Sequence, residues 1–218
     1  MFQHVPNAIT GGRLVLAVVF FALLAGYQHE GRGDPTLLNC AFVIYLIALV
    51  TDFLDGYLAR KWNVEGAFGR LVDPFVDKVL VLGSFVFFAG KNFVIQPIGG
   101  ASTAMVVKTI TGVAPWMVVL ILARELLVTS LRGNAEGGGQ NFGAVYAGKV
   151  KMVLQSATIL AILLYVNYAE PAGGFIEHYA RWMRDIFIWM TIAVTLYSGL
   201  AYVRRGILLY RSTRPAVV

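Results

Sequence analysis

The chain has 218 residues, 58% of them apolar and 14% charged, with a formal net charge of +6. A soluble domain is typically about 45–50% apolar and about 25% charged, so this sequence has too little polar surface to coat a water-soluble globule. Disorder and a collagen-like fibre are excluded by the same numbers, and a disulfide scaffold by the single cysteine, Cys40, which leaves an all-α integral membrane protein as the expectation.

Apolar runs bounded by polar, Gly or Pro clusters predict six spans, at 13–27, 36–60, 69–90, 113–131, 144–168 and 186–209. Strong breaks separate them at Gly31–Pro35, Gln96–Ser102, Gly133–Gly143 and Glu170–Gly174. Backbone groups must be satisfied internally in lipid, and no ten-residue alternating pattern suggests a barrel, so helices are expected. Nothing ahead of the first apolar run resembles the charged region of a cleaved signal, so that run is expected to remain. The predicted organisation is one membrane domain over 1–218. It comprises a short interfacial segment 1–12, a six-helix bundle 13–209 and a basic tail 210–218.

Charge sets the orientation. With six alternating spans, Arg13, Arg60, Lys61, Arg70, Arg124, Arg132, Lys149, Lys151, Arg204, Arg205, Arg211 and Arg214 share one side. Only Arg32, Lys91, Lys108, Arg181 and Arg184 fall on the other. The positive-inside rule puts the first set, and both termini, in the cytoplasm. The polar residues that interrupt the spans lie at that same end, which predicts a polar cavity facing the cytoplasm. Basic residues at span ends suit lipid headgroups, and no nucleic-acid motif is present, so nucleic acid is not an expected partner.

The chain has 12 acidic residues, and Asp52, Asp55, Asp73 and Asp77 fall within 26 positions. Asp52 and Asp55 share a face near the end of the second span, and Asp73 and Asp77 share one near the start of the third. The short turn around Lys61–Phe68 predicts that these helices are antiparallel neighbours whose carboxylates converge. Such a cluster needs compensating positive charge. Arg60 and Lys78 supply too little for four anions. Oxygen ligands suit Mg²⁺, Mn²⁺ or Ca²⁺, and His4, His29, His178 and Cys40 are too scattered to make a zinc or copper site.

Taken with their spacing, Asp52, Asp55, Gly56, Ala59, Arg60, Gly69, Asp73 and Asp77 resemble all eight fixed positions of the CDP-alcohol phosphotransferase motif. The opening Pro6-Asn7, Thr10 and Arg13 is similar to that of the same family. The segments Ala123–Leu127, Ser130–Arg132 and Gly148–Lys151 with Gln155 resemble the family's phosphatidylglycerophosphate synthase branch. The likeness runs from about residue 5 to about residue 160. Gly66 stands where some relatives carry a hydroxyl, so a side-chain contact is missing there.

The resemblance implies phosphatidyl transfer from CDP-diacylglycerol to sn-glycerol 3-phosphate, giving phosphatidylglycerol phosphate and CMP, in a homodimer at the bacterial-type inner membrane. Two Mg²⁺ or Mn²⁺ ions would neutralise the diphosphate and steady the entering and leaving oxygens. By resemblance, Asp52 and Asp73 bridge both ions, Asp55 binds one and Asp77 the other, with Asp77 also the general base. Asn7, Thr10, Asp55, Gly56, Ala59, Arg60 and Gly69 would bind the CDP-linked donor. Arg124, Arg132, Lys149 and Lys151, at the cytoplasmic ends of the fourth and fifth spans, suit the acceptor's phosphate. Two alternatives remain open at this point. One is the same chemistry with phosphatidylglycerol, serine or inositol phosphate as acceptor. The other is a cation transporter that uses the Asp cluster as its ion path.

Overall fold

A computed structural model describes residues 5–29, 33–62, 67–95, 109–137 and 146–213, excluding the side chains of 5–10, 55–62, 67–74, 135–137, 146, 147, 149 and 209–213. Six long helices account for nearly all of the described residues: α1 (Val5–Gly26), α2 (Pro35–Trp62), α3 (Ala67–Phe88), α4 (Pro115–Gly137), α5 (Tyr146–Leu164) and α6 (Gly174–Thr213). Among these residues no strand forms, and the only extended pairing is an isolated bridge between Val94 and Thr109. Three stretches are long and apolar enough to cross a bilayer: Pro35–Leu54, Val150–Ala172 and Gly174–Leu208. A shorter apolar run covers Gly11–Gly26.

Helix boundaries follow local chemistry. Pro6 and Pro115 lie in first turns, where their missing N–H costs nothing. Pro35 opens α2, and the Asp34 carboxylate caps it by accepting from the Thr36 amide at 2.8 Å. The Thr36 hydroxyl and amide hold the Asp34 carboxyl below its ordinary range. At the far end of α1, the Asn92 amide donates to the Leu24 and Ala25 carbonyls, both at 3.1 Å, and so supplies partners that a helix end lacks.

The breaks differ from expectation in three places. Helix α1 begins at Val5 and so includes part of the predicted interfacial segment. Helix α4 continues through Gly137, so the first residues of the predicted Gly133–Gly143 loop are helical. A single Gly in a helix costs only about 1 kcal/mol, and Ala135 and Glu136 favour the continuation. Most markedly, α6 starts at Gly174 rather than near 186 and runs 40 residues without interruption. Gly173 and Gly174, at φ +62° and +60°, make the whole turn between the fifth and sixth helices, so nothing forces a break further on. The fifth helix reaches that turn through a π-helical stretch, Tyr165–Ala169, and one more turn, Glu170–Ala172.

Helix α1 packs along both α2 and α3, α5 along α6, and α4 along α6. Aromatic rings fill the first of these seams: Phe20 lies 5.4 Å from Tyr45, and Phe21 stacks on Phe87 at 5.5 Å and 9°. The α5–α6 seam carries a polar contact among apolar ones. Thr158 shares a 2.8 Å hydrogen bond with Thr191 and reaches the Phe187 carbonyl at 3.2 Å. The Thr51 and Ser84 hydroxyls are satisfied within their own helix, by the Ile47 and Leu80 carbonyls, both at 2.6 Å. The outward faces are apolar, with Val43, Ile47, Val50 and Leu54 of α2 and Val119 and Leu126 of α4 exposed. A soluble monomer rarely exposes so much apolar area, whereas a bilayer covers it.

At the end of the bundle opposite the aspartates, Arg184 of α6 is buried against Tyr165, with its guanidinium 4.3 Å from the ring centre. It donates to the Ile110 carbonyl at 2.5 Å and to Asp185. The loop that presents Ile110 turns at Gly112, whose φ is +75°. A Cβ there would also lie 3.1 Å from the Arg184 guanidinium, so conformation and space both demand glycine.

Candidate active site

The predicted carboxylates sit on the predicted helices. Asp52 is near the C-terminal end of α2 and Asp77 in the first half of α3. Among the described residues, the two helices meet through α1 rather than through a seam of their own. The junction is Arg13. Its Nη1 lies 2.8 Å from Asp52 Oδ1 and 2.9 Å from Asp77 Oδ1. The arginine is 1% exposed, whereas the Asp52 and Asp77 side chains are 40% and 25% exposed. The cation therefore lies beneath the carboxylates, which open outward from it.

Arg13 is the residue that sequence reasoning did not place in the site. It figured only as part of the opening segment and as one of the basic residues at the membrane edge. The available signal was its position: an arginine on an apolar helix needs a partner, and intramembrane charges pair inward. Lys78, considered above as a partner for an aspartate, instead donates to the Thr129 hydroxyl of α4 at 2.7 Å. That hydroxyl passes its own proton to the Glu125 carbonyl, also at 2.7 Å.

The other predicted donor-binding and metal residues cannot be placed by side chain. Asp55, Gly56, Ala59 and Arg60 on α2, Gly69 and Asp73 on α3, and Asn7 and Thr10 on α1 lie outside the described residues in that respect, as does Lys149 on α5. Gly66 lies outside them altogether. Among the described residues, no group of three metal-ligating side chains assembles. The two visible aspartates nevertheless aim one oxygen each at a single cationic nitrogen. Carboxylate oxygens from separate helices are the donor type that a hard divalent ion takes, and here Arg13 holds two of them together.

Part of the second predicted cluster is brought together, with Lys149 outside the described side chains. Arg124 and Glu125 of α4 meet Lys151 of α5: one oxygen, Glu125 Oε1, accepts from Arg124 Nη1 at 2.8 Å and from Lys151 Nζ. All three are largely buried. Arg124 Nε also donates to Ser198 of α6 at 3.2 Å, and its guanidinium lies 5.5 Å from the centre of the Tyr202 ring. The approach is close because Gly199 has no side chain; a Cβ there would sit 3.2 Å from Arg124 Cγ. Arg132 reaches the Tyr202 hydroxyl at 3.4 Å.

This cluster has an excess of positive charge and of donors. One carboxylate, Glu125, serves two buried cations, and Arg124 Nη2 and Arg132 Nε are buried with no hydrogen-bond partner among the described residues. Leaving charged donors unmade in the interior is costly, and a bound anion is the natural remedy. Glu125, Ser198 and Tyr202 were not predicted as site residues. Glu125 had a visible signal in its place beside Arg124, whereas Ser198 and Tyr202 have none, because α6 enters the site only through packing.

The sequence matches the model of the family described as CDP-alcohol phosphatidyltransferase over residues 3–197. Among curated proteins it is similar to the CDP-diacylglycerol–glycerol-3-phosphate 3-phosphatidyltransferase of Bacillus subtilis strain 168. The two are 31% identical over 206 residues, which covers 91% of this chain and 93% of the relative. The protein of the same name from Escherichia coli K12 is 34% identical over 183 residues, 79% of this chain and 86% of the relative. That of Cereibacter sphaeroides is 27% identical over 238 residues, 95% and 97% of the respective chains.

Proposed function

Because the chain belongs to the CDP-alcohol phosphatidyltransferase family, we propose that it moves the phosphatidyl group of CDP-diacylglycerol onto sn-glycerol 3-phosphate, releasing CMP. The observation that carries the choice of acceptor is the Arg124–Glu125–Lys151 cluster, with buried guanidinium N–H groups left over for an anion. A phosphate dianion matches both the charge excess and the fork geometry of arginine. Serine and phosphatidylglycerol bring no phosphomonoester to this cluster. Relatives that span nearly the whole chain carry the name of the glycerol 3-phosphate enzyme, which supports the same choice.

The division of labour follows from position. Asp52 and Asp77, with Asp55 and Asp73 as their motif partners, would hold two Mg²⁺ or Mn²⁺ ions. When bound, such ions neutralise the diphosphate and favour the displacement at phosphorus. Arg13 holds Asp52 and Asp77 at one spacing from below. Asp77 accepts the proton of the attacking hydroxyl, and Arg60 with Gly56, Ala59, Gly69, Asn7 and Thr10 receives the CDP moiety. Arg124, Lys151, Arg132 and Lys149 orient the acceptor through its phosphate. Lys78 ties the two halves together, since it follows Asp77 in the chain and is hydrogen-bonded to α4.

The same reading places all six long helices across the bilayer, with both termini and the site on the cytoplasmic side. Helices α3 and α4, of 22 and 23 residues, are roughly 33–35 Å long and span the hydrocarbon core. Their hydropathy is lowered by the very charges that build the site. The family resemblance also supports a homodimer.

The test is CMP release by purified protein in detergent, with CDP-diacylglycerol, Mg²⁺ or Mn²⁺, and each acceptor offered separately. Release with glycerol 3-phosphate alone is the expected outcome. Release with serine, inositol phosphate or phosphatidylglycerol instead would reassign the acceptor. No release from folded protein with any of them would return the aspartates to an ion pathway.

A further inference from the structure

Gln155 of α5 is 2% exposed, and its amide nitrogen has no hydrogen-bond partner among the described residues. An unsatisfied amide donor in the interior is destabilising, and leucine in its place would avoid that cost. The surroundings show where this donor lies. Gln155 is one helical turn beyond Lys151, on the same face of α5 as the Arg124–Glu125–Lys151 cluster. Its chain neighbour Ser156 accepts from the Tyr45 hydroxyl of α2 at 3.4 Å. Tyr45 precedes Asp52 by two helical turns and shares its face. Gln155 therefore stands on α5 one turn from the anion-binding cluster, next in sequence to the residue that meets the helix carrying Asp52.

We propose that Gln155 is a specificity-determining residue, which recognises the C2 hydroxyl of the glycerol 3-phosphate acceptor through its side-chain amide. The inference rests on the acceptor assignment above. That molecule has three polar groups. Its phosphate is matched by Arg124 and Lys151, and its attacking C1 hydroxyl belongs at Asp77. The remaining hydroxyl is neutral and can both donate and accept, as a primary amide can. An amide kept waiting in a dry site discriminates by the hydrogen bond that the wrong substrate leaves unmade.

The experiment compares sn-glycerol 3-phosphate with 3-hydroxypropyl phosphate, which keeps the phosphate and the attacking hydroxyl but lacks the C2 hydroxyl. In the unaltered protein, kcat/KM for the deoxy acceptor should be lower by about tenfold or more. Gln155→Leu should bring glycerol 3-phosphate down to the deoxy level. It should leave the deoxy acceptor and the KM for CDP-diacylglycerol within about twofold. Gln155→Met, which keeps the length of the side chain but removes the amide, should also lose the preference, so the outcome does not hang on one variant's folding. Equal use of the two acceptors by the unaltered protein would overturn the proposal, with the acceptor assignment still standing. So would a Gln155→Leu variant that slows both acceptors alike, or one that gains thermal stability and keeps its preference. Failure of the unaltered protein to use glycerol 3-phosphate at all would remove the assignment, and this inference with it.

Discussion

Arg13 and Asp77, 64 residues apart in sequence, are joined by a 2.9 Å hydrogen bond, and the same arginine nitrogen reaches Asp52 at 2.8 Å. The first helix thereby fixes the spacing of two carboxylates that the motif places on different helices. Replacing Arg13 by alanine leaves the carboxylates to repel each other. The expected result is a fall in kcat/KM of about 100-fold, equivalent to roughly 3 kcal/mol. Because a cation can substitute for a cation, raising Mg²⁺ should recover more activity in Arg13→Ala than in Asp77→Asn. A Mg²⁺ titration of the two variants checks this.

Chelation bears on the same site. EDTA should abolish CMP release, and added Mg²⁺ or Mn²⁺ should restore it, whereas Asp77→Asn should stay inactive at any metal concentration. Zn²⁺ should restore it poorly, because the site offers only oxygen ligands.

Glu125 holds two cations with one oxygen. Removing one partner of a buried ion pair costs about 3–5 kcal/mol, because the charge left behind has no water to return to. Glu125→Ala should therefore lower the melting temperature, as Arg124 and Lys151 repel each other. Glycerol 3-phosphate should raise the melting temperature of Glu125→Ala further than that of the unaltered protein, since the ligand supplies the missing negative charge. Thermal shift with and without the acceptor measures both effects.

The Gly112 turn offers a contrast at the other end of the bundle. Alanine there must adopt φ +75° and crowd the Arg184 guanidinium at 3.1 Å. A cost of about 1–3 kcal/mol in stability follows. The KM for CDP-diacylglycerol should be unchanged in the protein that remains folded, because α6, which carries Arg184, meets the Arg124 cluster through Ser198.

Topology can be tested with the protein's only cysteine, Cys40, replaced by serine. A cysteine introduced at Ala172, which is exposed beside the α5–α6 turn, should react with a membrane-impermeant maleimide in intact cells. A cysteine introduced at Gly133, exposed on α4 at the opposite end, should react only after the cells are opened.

The parts of the structure legible in the sequence are those written in spacing. Apolar runs between Gly and Pro clusters located the six helices, and these runs put the i,i+3 and i,i+4 aspartates on α2 and α3. The anion cluster was legible too, since Arg124 interrupts its apolar run next to Glu125. Boundaries were read less well. The sixth apolar span was read from 186, whereas the helix starts at Gly174 and includes Glu177, Arg181, Arg184 and Asp185, which pair along it, as Arg181 does with Glu177. Arg13, Ser198 and Tyr202 were missed for a different reason. Their roles depend on which helix packs beside which, and periodicity within one helix carries no record of its neighbour.

The unbroken α6 ties the two ends of the molecule together. Arg184, locked against Tyr165 and Ile110, and Tyr202, beneath Arg124, belong to one rod without a proline and lie about 27 Å apart along its axis. A rod pinned at one end acts as a lever. A membrane too thick or too thin for the bundle would change the tilt of α6, and the floor of the anion cluster would shift with it.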